Sequence, residues 1–173
     1  MRPKVPSFEQ LLNSAEHTAV HLEMRDTYAV AEEREDVACW SAGEWTVEDA
    51  QRSLAGWLAL VSTTAGRGVV LRRARLVSEP VSDYIRFEHF TTSLNIEAGE
   101  QVRWLPRRQA LGIALPANDF WLIDGRLVRF NHFSGVGEAV EPEMSDDPTV
   151  ADLCASAFEA VWERAAPHDE YTI

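Results

Sequence analysis

The sequence predicts an α/β protein whose mixed sheet combines a βαβ unit with a β-hairpin, preceded by a helical N-terminal extension. Three observations support this fold class. Residues 68–106 follow a strand–helix–strand pattern, Asp124-Gly125 separates two apolar runs, and the N-terminal part is mostly helical in pattern. We therefore divide the chain into an N-terminal layer, residues 1–66, packed on an α/β core, residues 67–173, as one compact unit.

Three helices are predicted in the N-terminal layer: one begun by Ser7, one over residues 30–41, and one from Thr46 to Gly66. The last of these opens with a capping box, because Asp49 follows Thr46 at the required spacing. Between the helices, AVHLEMR (residues 19–25) alternates strictly between apolar and polar side chains. This alternation predicts a strand with only one buried face.

The core begins with the βαβ unit. VVLRRARLV predicts its first strand and QVRWLP its second, which we expect to be parallel with a right-handed crossover. The helix between them is expected to enter through Pro80 and to end near Gly99.

A hairpin and a long helix complete the core. Asp124-Gly125, within DFWLIDGRLVRFNHF, is a strong signal for a two-residue hairpin turn. Asp147 is expected to cap the last helix, in which apolar side chains from Val150 to Ala165 recur three and four residues apart. Burial of the large ones at roughly 1.5–3 kcal/mol each would make this helix the main clamp on the sheet.

The composition, 173 residues with 46% hydrophobic side chains, is that of one ordinary globular domain. Cys39 and Cys154 lie far apart without CxxC spacing, which favours buried thiols in a reducing compartment. No apolar stretch approaches the roughly 20 residues of a membrane span, and MRPKVPSFEQ has no apolar signal core. We expect a cytoplasmic protein that needs no cofactor and no metal.

The net charge of −12 is unevenly distributed along the chain. Residues 67–129 carry 10 Lys/Arg against 7 Asp/Glu, whereas residues 1–66 carry 5 against 11 and residues 130–173 carry 1 against 10. The acidic balance argues against direct binding of nucleic acid. The cationic middle is explained either by internal pairing or by an anionic ligand or acidic partner.

The order of elements resembles one half of a phospholipase-D-like domain. That superfamily carries His-x-Lys-x4-Asp-Gly on a strand leading into a hairpin, where the histidine attacks phosphorus and the lysine holds phosphate oxygens. Asp124-Gly125 matches the end of this motif, but Ala117 and Asp119 occupy the histidine and lysine positions. Because Lys4 is the only lysine, His-x-Lys occurs nowhere in the chain. The resemblance implies a catalytically degenerate relative, and Asp124-Gly125 is equally typical of a plain hairpin turn.

Long sequence blocks also resemble an actinobacterial domain family of unknown function, often encoded beside helix-turn-helix regulators. The blocks are HLEMRDTY, WSAGEW, RARLVSEPVSDYIRFEH, AGEQVRWLPRR, LPANDFWLID and FEAVWERAAPH, and they cover nearly the whole chain. This resemblance implies a protein partner, such as a neighbouring helix-turn-helix regulator, and it implies no chemistry.

Polar side chains follow both strands of the βαβ unit, at the edge where open α/β sheets place ligands. The candidate binding residues are Arg73, Arg75, Glu79, Tyr84, Arg86, Glu88, His89, Trp104 and Arg107. Their arginines and glutamates are expected to form one cluster. Two interpretations stay open: an internal Arg–carboxylate network, or an arginine edge facing a cleft rimmed by Tyr84, Trp104 and Arg107, where a carboxylate or phosphate binds.

The function these observations favour is a non-catalytic binding or regulatory module that acts through a protein partner or a small anionic ligand, with homodimerisation left open. One alternative is a hydrolase or nuclease that uses His89 or His132 with a nearby carboxylate. Another is a component of a toxin–antitoxin-like two-gene system. A zinc site at His17 and His21 is not expected, because HTAVH lacks the glutamate of HExxH.

Because Ala117 and Asp119 replace the nucleophile and the lysine, we predict that the purified protein does not hydrolyse phosphodiesters. Assays with bis(p-nitrophenyl) phosphate and with plasmid DNA should match buffer blanks. Turnover that is present in the wild type and lost in Tyr84→Phe or His89→Ala would contradict the prediction.

Overall fold

The structure is a computed structural model that describes residues 5–173, apart from the side chain of Glu32; residues 1–4 of the predicted N-terminal layer lie outside the described residues. The described residues form six α-helices and a seven-stranded mixed sheet. The helices are α1 (Phe8–Asn13), α2 (Arg34–Ser41), α3 (Val47–Ser53), α4 (Ala55–Gly66), α5 (Asp83–Glu97) and α6 (Pro148–Arg164). The strands are β1 (Thr18–Glu23), β2 (Val70–Val77), β3 (Glu100–Pro106), β4 (Asp119–Ile123), β5 (Leu127–Asn131), β6 (Glu143–Ser145) and β7 (Ala166–Pro167).

The sheet has the strand order β6-β5-β4-β1-β2-β3-β7. β1, β2 and β3 are mutually parallel, and the remaining neighbours pair antiparallel. The predicted α/β class, the βαβ unit (β2-α5-β3) and the β4-β5 hairpin are therefore confirmed. β1 lies in the middle of the sheet, so the segment 1–66 contributes a central strand as well as a helical layer.

The helix α6 covers one face of the sheet, as the sequence predicts. Val20 and Leu22 of β1 point to this face and join a core with Phe158 and Trp162 of α6. Asp147 caps the helix, since its carboxylate accepts a hydrogen bond from the Thr149 amide at 2.8 Å. An apolar layer therefore fills most of the space between α6 and the sheet, with Arg72 at its edge donating to Glu159 of α6.

β1 is buried on both faces, and the expectation of a strand with one exposed face is wrong. His21 is only 7% exposed and Glu23 is half-buried, although both point away from α6. The polar half of the alternation faces a second layer, built from the N-terminal helices and α5, instead of water. The pattern identified the two faces correctly but not what covers them.

Three further expectations are corrected by the structure. The helix predicted from Thr46 to Gly66 is interrupted at Leu54 (φ −91°, ψ 1°), and the interruption lets α4 reach α1 and β2 while α3 contacts α5. α5 begins after Ser82, whose hydroxyl accepts from the Ile85 amide, and Pro80 precedes it in the loop. Cys39 is exposed, because α2 lies at the surface, whereas Cys154 is buried as expected.

The turn at Asp124-Gly125 has a structural role. Both residues have positive φ, 51° and 65°, and the Arg126 amide donates to the Ile123 carbonyl at 2.9 Å. Three residues, 124–126, separate the paired Ile123 and Leu127, where the sequence predicts a two-residue turn. The Asp124 carboxylate accepts hydrogen bonds from the amides of Glu16, His17 and Thr18 at 3.0, 2.8 and 2.8 Å. These bonds tie the hairpin to the segment that enters β1 and account for the aspartate without any chemistry.

We predict that Trp162→Ala lowers the free energy of unfolding by about 3–5 kcal/mol, because it opens a cavity in the core beneath α6. Trp162 is 9% exposed and stacks on Phe158 with ring centroids 5.6 Å apart. Urea unfolding measures the change, and Leu153→Ala, at a position 48% exposed on the same helix, is the matched control. A Trp162→Ala protein as stable as the control would contradict the role assigned to α6.

Candidate ligand-binding site

A strip of charged side chains crosses the face of the sheet opposite α6. It lies between two apolar clusters, one around Leu11, Leu71 and Trp121 and one around Val77 and Trp104. The members of the strip are His21 and Glu23 on β1, Arg73 and Arg75 on β2, Glu100 on β3, Asp119 on β4 and Arg129 on β5. Charges at the centre of a covered sheet are stable only with partners, so their pairing determines what the strip can do.

The arginines on β2 are paired with carboxylates on several elements. Arg73 donates through Nε to Glu100 at 2.8 Å and through Nη1 to Glu23 at 2.9 Å. Arg75 contacts Glu23 and also Glu88 of α5. Each guanidinium therefore bridges two carboxylates, and the network ties β1, β2, β3 and α5 together.

Glu23 is the centre of this network. Burial alone would raise its pKa, but Arg75 and Arg73 lower the pKa of Glu23 to about 2. Glu23 is consequently ionised near pH 7, as its pairing with two guanidiniums requires.

A cavity of about 320 Å³ lies over the strip. Its lining contains four carboxylates, those of Glu23, Glu33, Glu88 and Asp119, and two guanidiniums, those of Arg73 and Arg129. Aromatic and apolar side chains complete it: Phe8, Tyr28, Val30, Tyr84, Phe133, Ala139, Val140 and Pro142. Phe8 and Val140 are exposed, so the cavity reaches the protein surface beside them.

Two tyrosines hold two of the cavity carboxylates in place. Tyr84 donates to Oε2 of Glu33 at 2.6 Å, and Tyr28 donates to Oδ2 of Asp119. Burial, reinforced by the nearby Glu88, raises the pKa of Glu33 to about 7. Burial also raises the pKa of Asp119 to about 6, despite the hydrogen bond from Tyr28. Burial is the main cause of both shifts, and the neighbouring carboxylates Glu88 and Glu23 add to them.

His21 lies at the floor of the cavity and is only 7% exposed. Its ring stacks on Trp121 with centroids 4.3 Å apart. Nδ1 lies 3.5 Å from Oε1 of Glu23 without forming a well-aligned hydrogen bond, and Nε2 has no hydrogen-bond partner among residues 5–173. Burial lowers the pKa of His21 to about 3, so the ring is neutral near pH 7 and one nitrogen keeps a free lone pair. A buried polar group of this kind requires an explanation, and a bound ligand supplies one.

A second cavity, of about 360 Å³, adjoins the first and shares Asp119, Asn131 and Phe133 with it. It lies where β1 and β3 end and is lined by Arg25 and Arg107. The Arg107 guanidinium is held by the Met24 carbonyl and the Ser78 hydroxyl, close to the Asp26 carboxylate. Asp26 in turn accepts from the Ser78 amide at 2.7 Å, so this end of the sheet is rigidly hydrogen-bonded.

The structure brings together four of the candidate residues, Arg73, Arg75, Tyr84 and Glu88. Sequence reasoning missed the carboxylates that complete the cluster, which are Glu23, Glu33, Glu100 and Asp119. The available signal was the alternation of β1, which places His21 and Glu23 on one face. It was not recognised because that face was expected to meet solvent.

The other candidates lie elsewhere. Glu79 is exposed and accepts from the Tyr171 hydroxyl at 2.9 Å, and exposed Arg86 makes no ion pair among the described residues. Trp104 is fully buried, stacked on Tyr171 and beneath Arg75, so the expected cleft rimmed by Tyr84, Trp104 and Arg107 does not form.

His89 faces the C-terminal segment and not either cavity. Its Nε2 lies 3.0 Å from the Tyr171 carbonyl, and its ring packs against His168. Within the described part of the chain, no group of three or more His, Cys, Asp or Glu could hold a metal ion. Nor is any described helix long and apolar enough to cross a membrane.

These features define the class of protein: an α/β domain with a charged cavity on one face of its sheet. The chain belongs to the family described as Domain of unknown function (DUF6879), whose model matches residues 6–173. No curated protein matches the chain.

One similar solved structure is that of TrmBL2, an archaeal chromatin protein with a novel mode of DNA binding. It has 12% sequence identity and a TM-score of 0.47, and the match covers 91% of this chain. The chain spans 48% of the TrmBL2 chain, and at this TM-score the likeness supports no functional argument.

We predict that Glu33→Gln stabilises the protein more at pH 8 than at pH 5. The folded-state pKa of Glu33 is raised from 4.5 to about 7, so the neutral carboxyl group is favoured in the folded protein. The stability that its protonation contributes is fully present below pH 4.5 and is lost as the pH rises through about 7. Glutamine remains neutral, so the variant should gain on the order of 2 kcal/mol relative to wild type between the two pH values. Urea unfolding at both pH values measures it.

The control for this prediction is Glu35→Gln, an exposed position on the adjoining helix α2. Its difference from wild type should be the same at pH 5 and pH 8. A Glu33→Gln effect equally independent of pH would show that Glu33 is ionised in the folded protein throughout.

Proposed function

We propose that the protein is a non-catalytic binding module and that the cavity over the charged strip is its ligand site. The observation that carries the proposal is His21, which is buried in the cavity lining: its Nδ1 lies 3.5 Å from Glu23, and its Nε2 has no hydrogen-bond partner among the described residues. The surrounding ion pairs and tyrosine hydrogen bonds hold the cavity groups in place before any ligand arrives. Such pre-organisation lowers the entropic cost of binding.

The chemistry of the cavity favours binding over catalysis. A general base works best with a pKa near the operating pH, and burial holds the pKa of His21 at about 3. His132 lines the cavity, but its Nε2 pairs at 3.4 Å with Glu143, whose side chain is 74% exposed. His89 lies outside the cavity. The alternative of a hydrolase built on either histidine therefore has the weaker support.

The anionic ligand expected at the arginines is also weakly supported. Arg73 and Arg75 each already bridge two carboxylates, and Arg107 is held by backbone and hydroxyl oxygens. The internal Arg–carboxylate network is the interpretation that the observed distances favour. A ligand is expected to bind above this network and not to replace it.

The biological setting in this proposal comes from the sequence resemblances. We place the protein in the cytoplasm of an actinobacterium, as a degenerate phospholipase-D-like half-domain that acts on a helix-turn-helix regulator encoded nearby. Binding of a small molecule in the cavity would then modulate that partnership. Co-purification from the native host, followed by mass spectrometry, tests this part of the proposal.

We predict that filling the cavity abolishes small-molecule binding without unfolding the protein. Ala139 lines the cavity and is exposed, so Ala139→Trp should block the cavity from its surface side. A charge-diverse set of small aromatic amines, acids and alcohols is screened by ¹H–¹⁵N NMR. At least one compound should shift cavity amides in wild type and not in Ala139→Trp.

The matched control is Val136→Trp, which adds the same ring to the same loop at a position that is 79% exposed and outside the lining. This variant should bind as wild type does. A screen without any binder, or shifts that persist in Ala139→Trp, would overturn the proposed function.

A further inference from the structure

We propose that the ligand of this cavity is an organic cation, a protonated amine carried on a small apolar body. This inference rests on the proposed function and specifies the ligand class. Two sources could supply such an ammonium group: a free amine, or the lysine side chain of a partner protein.

The first support is the charge of the lining. Four carboxylates face the cavity against two guanidiniums, and the buried pair beneath, Arg75 and Glu100, adds one charge of each sign. Arg129 donates to the Pro6 carbonyl at 2.9 Å, and its guanidinium lies 4.0 Å from the centroid of Phe8. Neither Glu33 nor Asp119 forms an ion pair among residues 5–173, so positive charge is deficient beside these two carboxylates.

The protonation behaviour agrees with this deficit. Burial and the neighbouring Glu88 raise the pKa of Glu33, and burial raises that of Asp119, so both sites accept a proton more readily than in water. The neighbouring carboxylates Glu88 and Glu23, which add to these shifts, also attract an ammonium group. A bound cation would displace these protons and restore both carboxylates to their ionised form.

The second support is the set of hydrogen-bond acceptors. His21 is only 7% exposed. In its neutral form it offers one nitrogen lone pair, to which no described group donates a hydrogen bond. An ammonium group supplies N–H donors and accepts none. It therefore matches the His21 lone pair and the carboxylate oxygens of the lining. A carboxylate or phosphate ligand would find a donor at the unpartnered Nε of Arg129 but would also face Glu33 and Asp119.

The third support is the aromatic wall. Tyr28 lies with its ring centroid 5.6 Å from that of Tyr84 and 5.1 Å from that of Phe133, and all three rings line the cavity. Aromatic faces stabilise organic cations and give apolar surface to the rest of the ligand. Val30, Val140 and Pro142 extend that surface. The combination favours an amine with an apolar body over a hydrated metal ion.

Isothermal titration calorimetry with three probes of similar shape tests the ligand class. The probes are 2-phenylethylammonium, the neutral 2-phenylethanol and the anionic 3-phenylpropanoate. We expect the ammonium probe to bind at least tenfold more tightly than the other two. Nα-acetyl-lysine amide is the fourth probe: preference for it supports a partner's lysine as the source of the cation, and preference for 2-phenylethylammonium supports a free amine.

Two variants locate the interaction. Glu33→Gln and Asp119→Asn each remove one carboxylate from the cavity. Each should weaken binding of the ammonium probe at least tenfold. Glu97→Gln removes an exposed charge from the same helix that carries Glu88 and should leave binding unchanged. Thermal melts confirm that each variant is folded, and Glu33→Gln remains decisive if Asp119→Asn unfolds.

The outcomes separate this inference from the proposed function. Binding of the neutral or anionic probe in the cavity, blocked by Ala139→Trp, would overturn the inference that the ligand is a cation. It would leave the proposed binding function standing. Absence of any binder in the wider screen would overturn both. Equal binding of the ammonium probe by wild type and both charge variants would also overturn the inference that the ligand is a cation.

Discussion

The ion pairs of Glu23 with Arg73 and Arg75 are the constraint on which the rest of the structure depends. Two arginines on the second strand of the sheet are less than a tenth exposed, and no folded arrangement can bury them without carboxylates in reach. The sheet supplies Glu23 and Glu100, and α5 supplies Glu88. Strand register and helix position are consequently fixed by charge as well as by apolar contact.

The two faces of the sheet differ in composition. The face under α6 is mostly apolar, and its half-buried Arg72 and Arg103 lie over the rings of Phe158 and Trp162, so packing on this side stabilises the domain. The opposite face places apolar clusters at both ends and ionisable groups between them. A ligand there would contact groups whose positions are already determined by the fold, and α6 need not move to admit it.

Much of the fold could be predicted because periodicity and capping are local properties. Asp124-Gly125 fixed the hairpin, Asp147 fixed the start of α6, and the strand–helix–strand order fixed the βαβ unit. The position of β1 between β2 and β4 could not be predicted, since strand order depends on long-range pairing. The interruption at Leu54 was hidden because the helical spacing of apolar side chains from Val47 to Val61 continues across it.

The candidate site was predictable only in part, for the same reason. Arg73, Arg75 and Glu88 lie within one βαβ unit, so their proximity follows from a local motif. Glu23, Glu33 and Asp119 reach the cavity from elements more than 35 residues away in sequence from Arg73. Their contribution depends on β1 and β4 being neighbours, which no spacing in the sequence encodes.

The central place of β1 has a consequence for how the chain folds. Its two partners are β2, about fifty residues later, and β4, about a hundred residues later, with Asp124 sealing the entry to the strand. Such distant pairing gives a high contact order, and high contact order slows folding. During synthesis β1 can pair with β2 on one edge once residue 77 has emerged, but its other edge stays unpaired until the ribosome has released the hairpin. The βαβ unit and the helices of the N-terminal segment are the parts of the chain free to form in that interval.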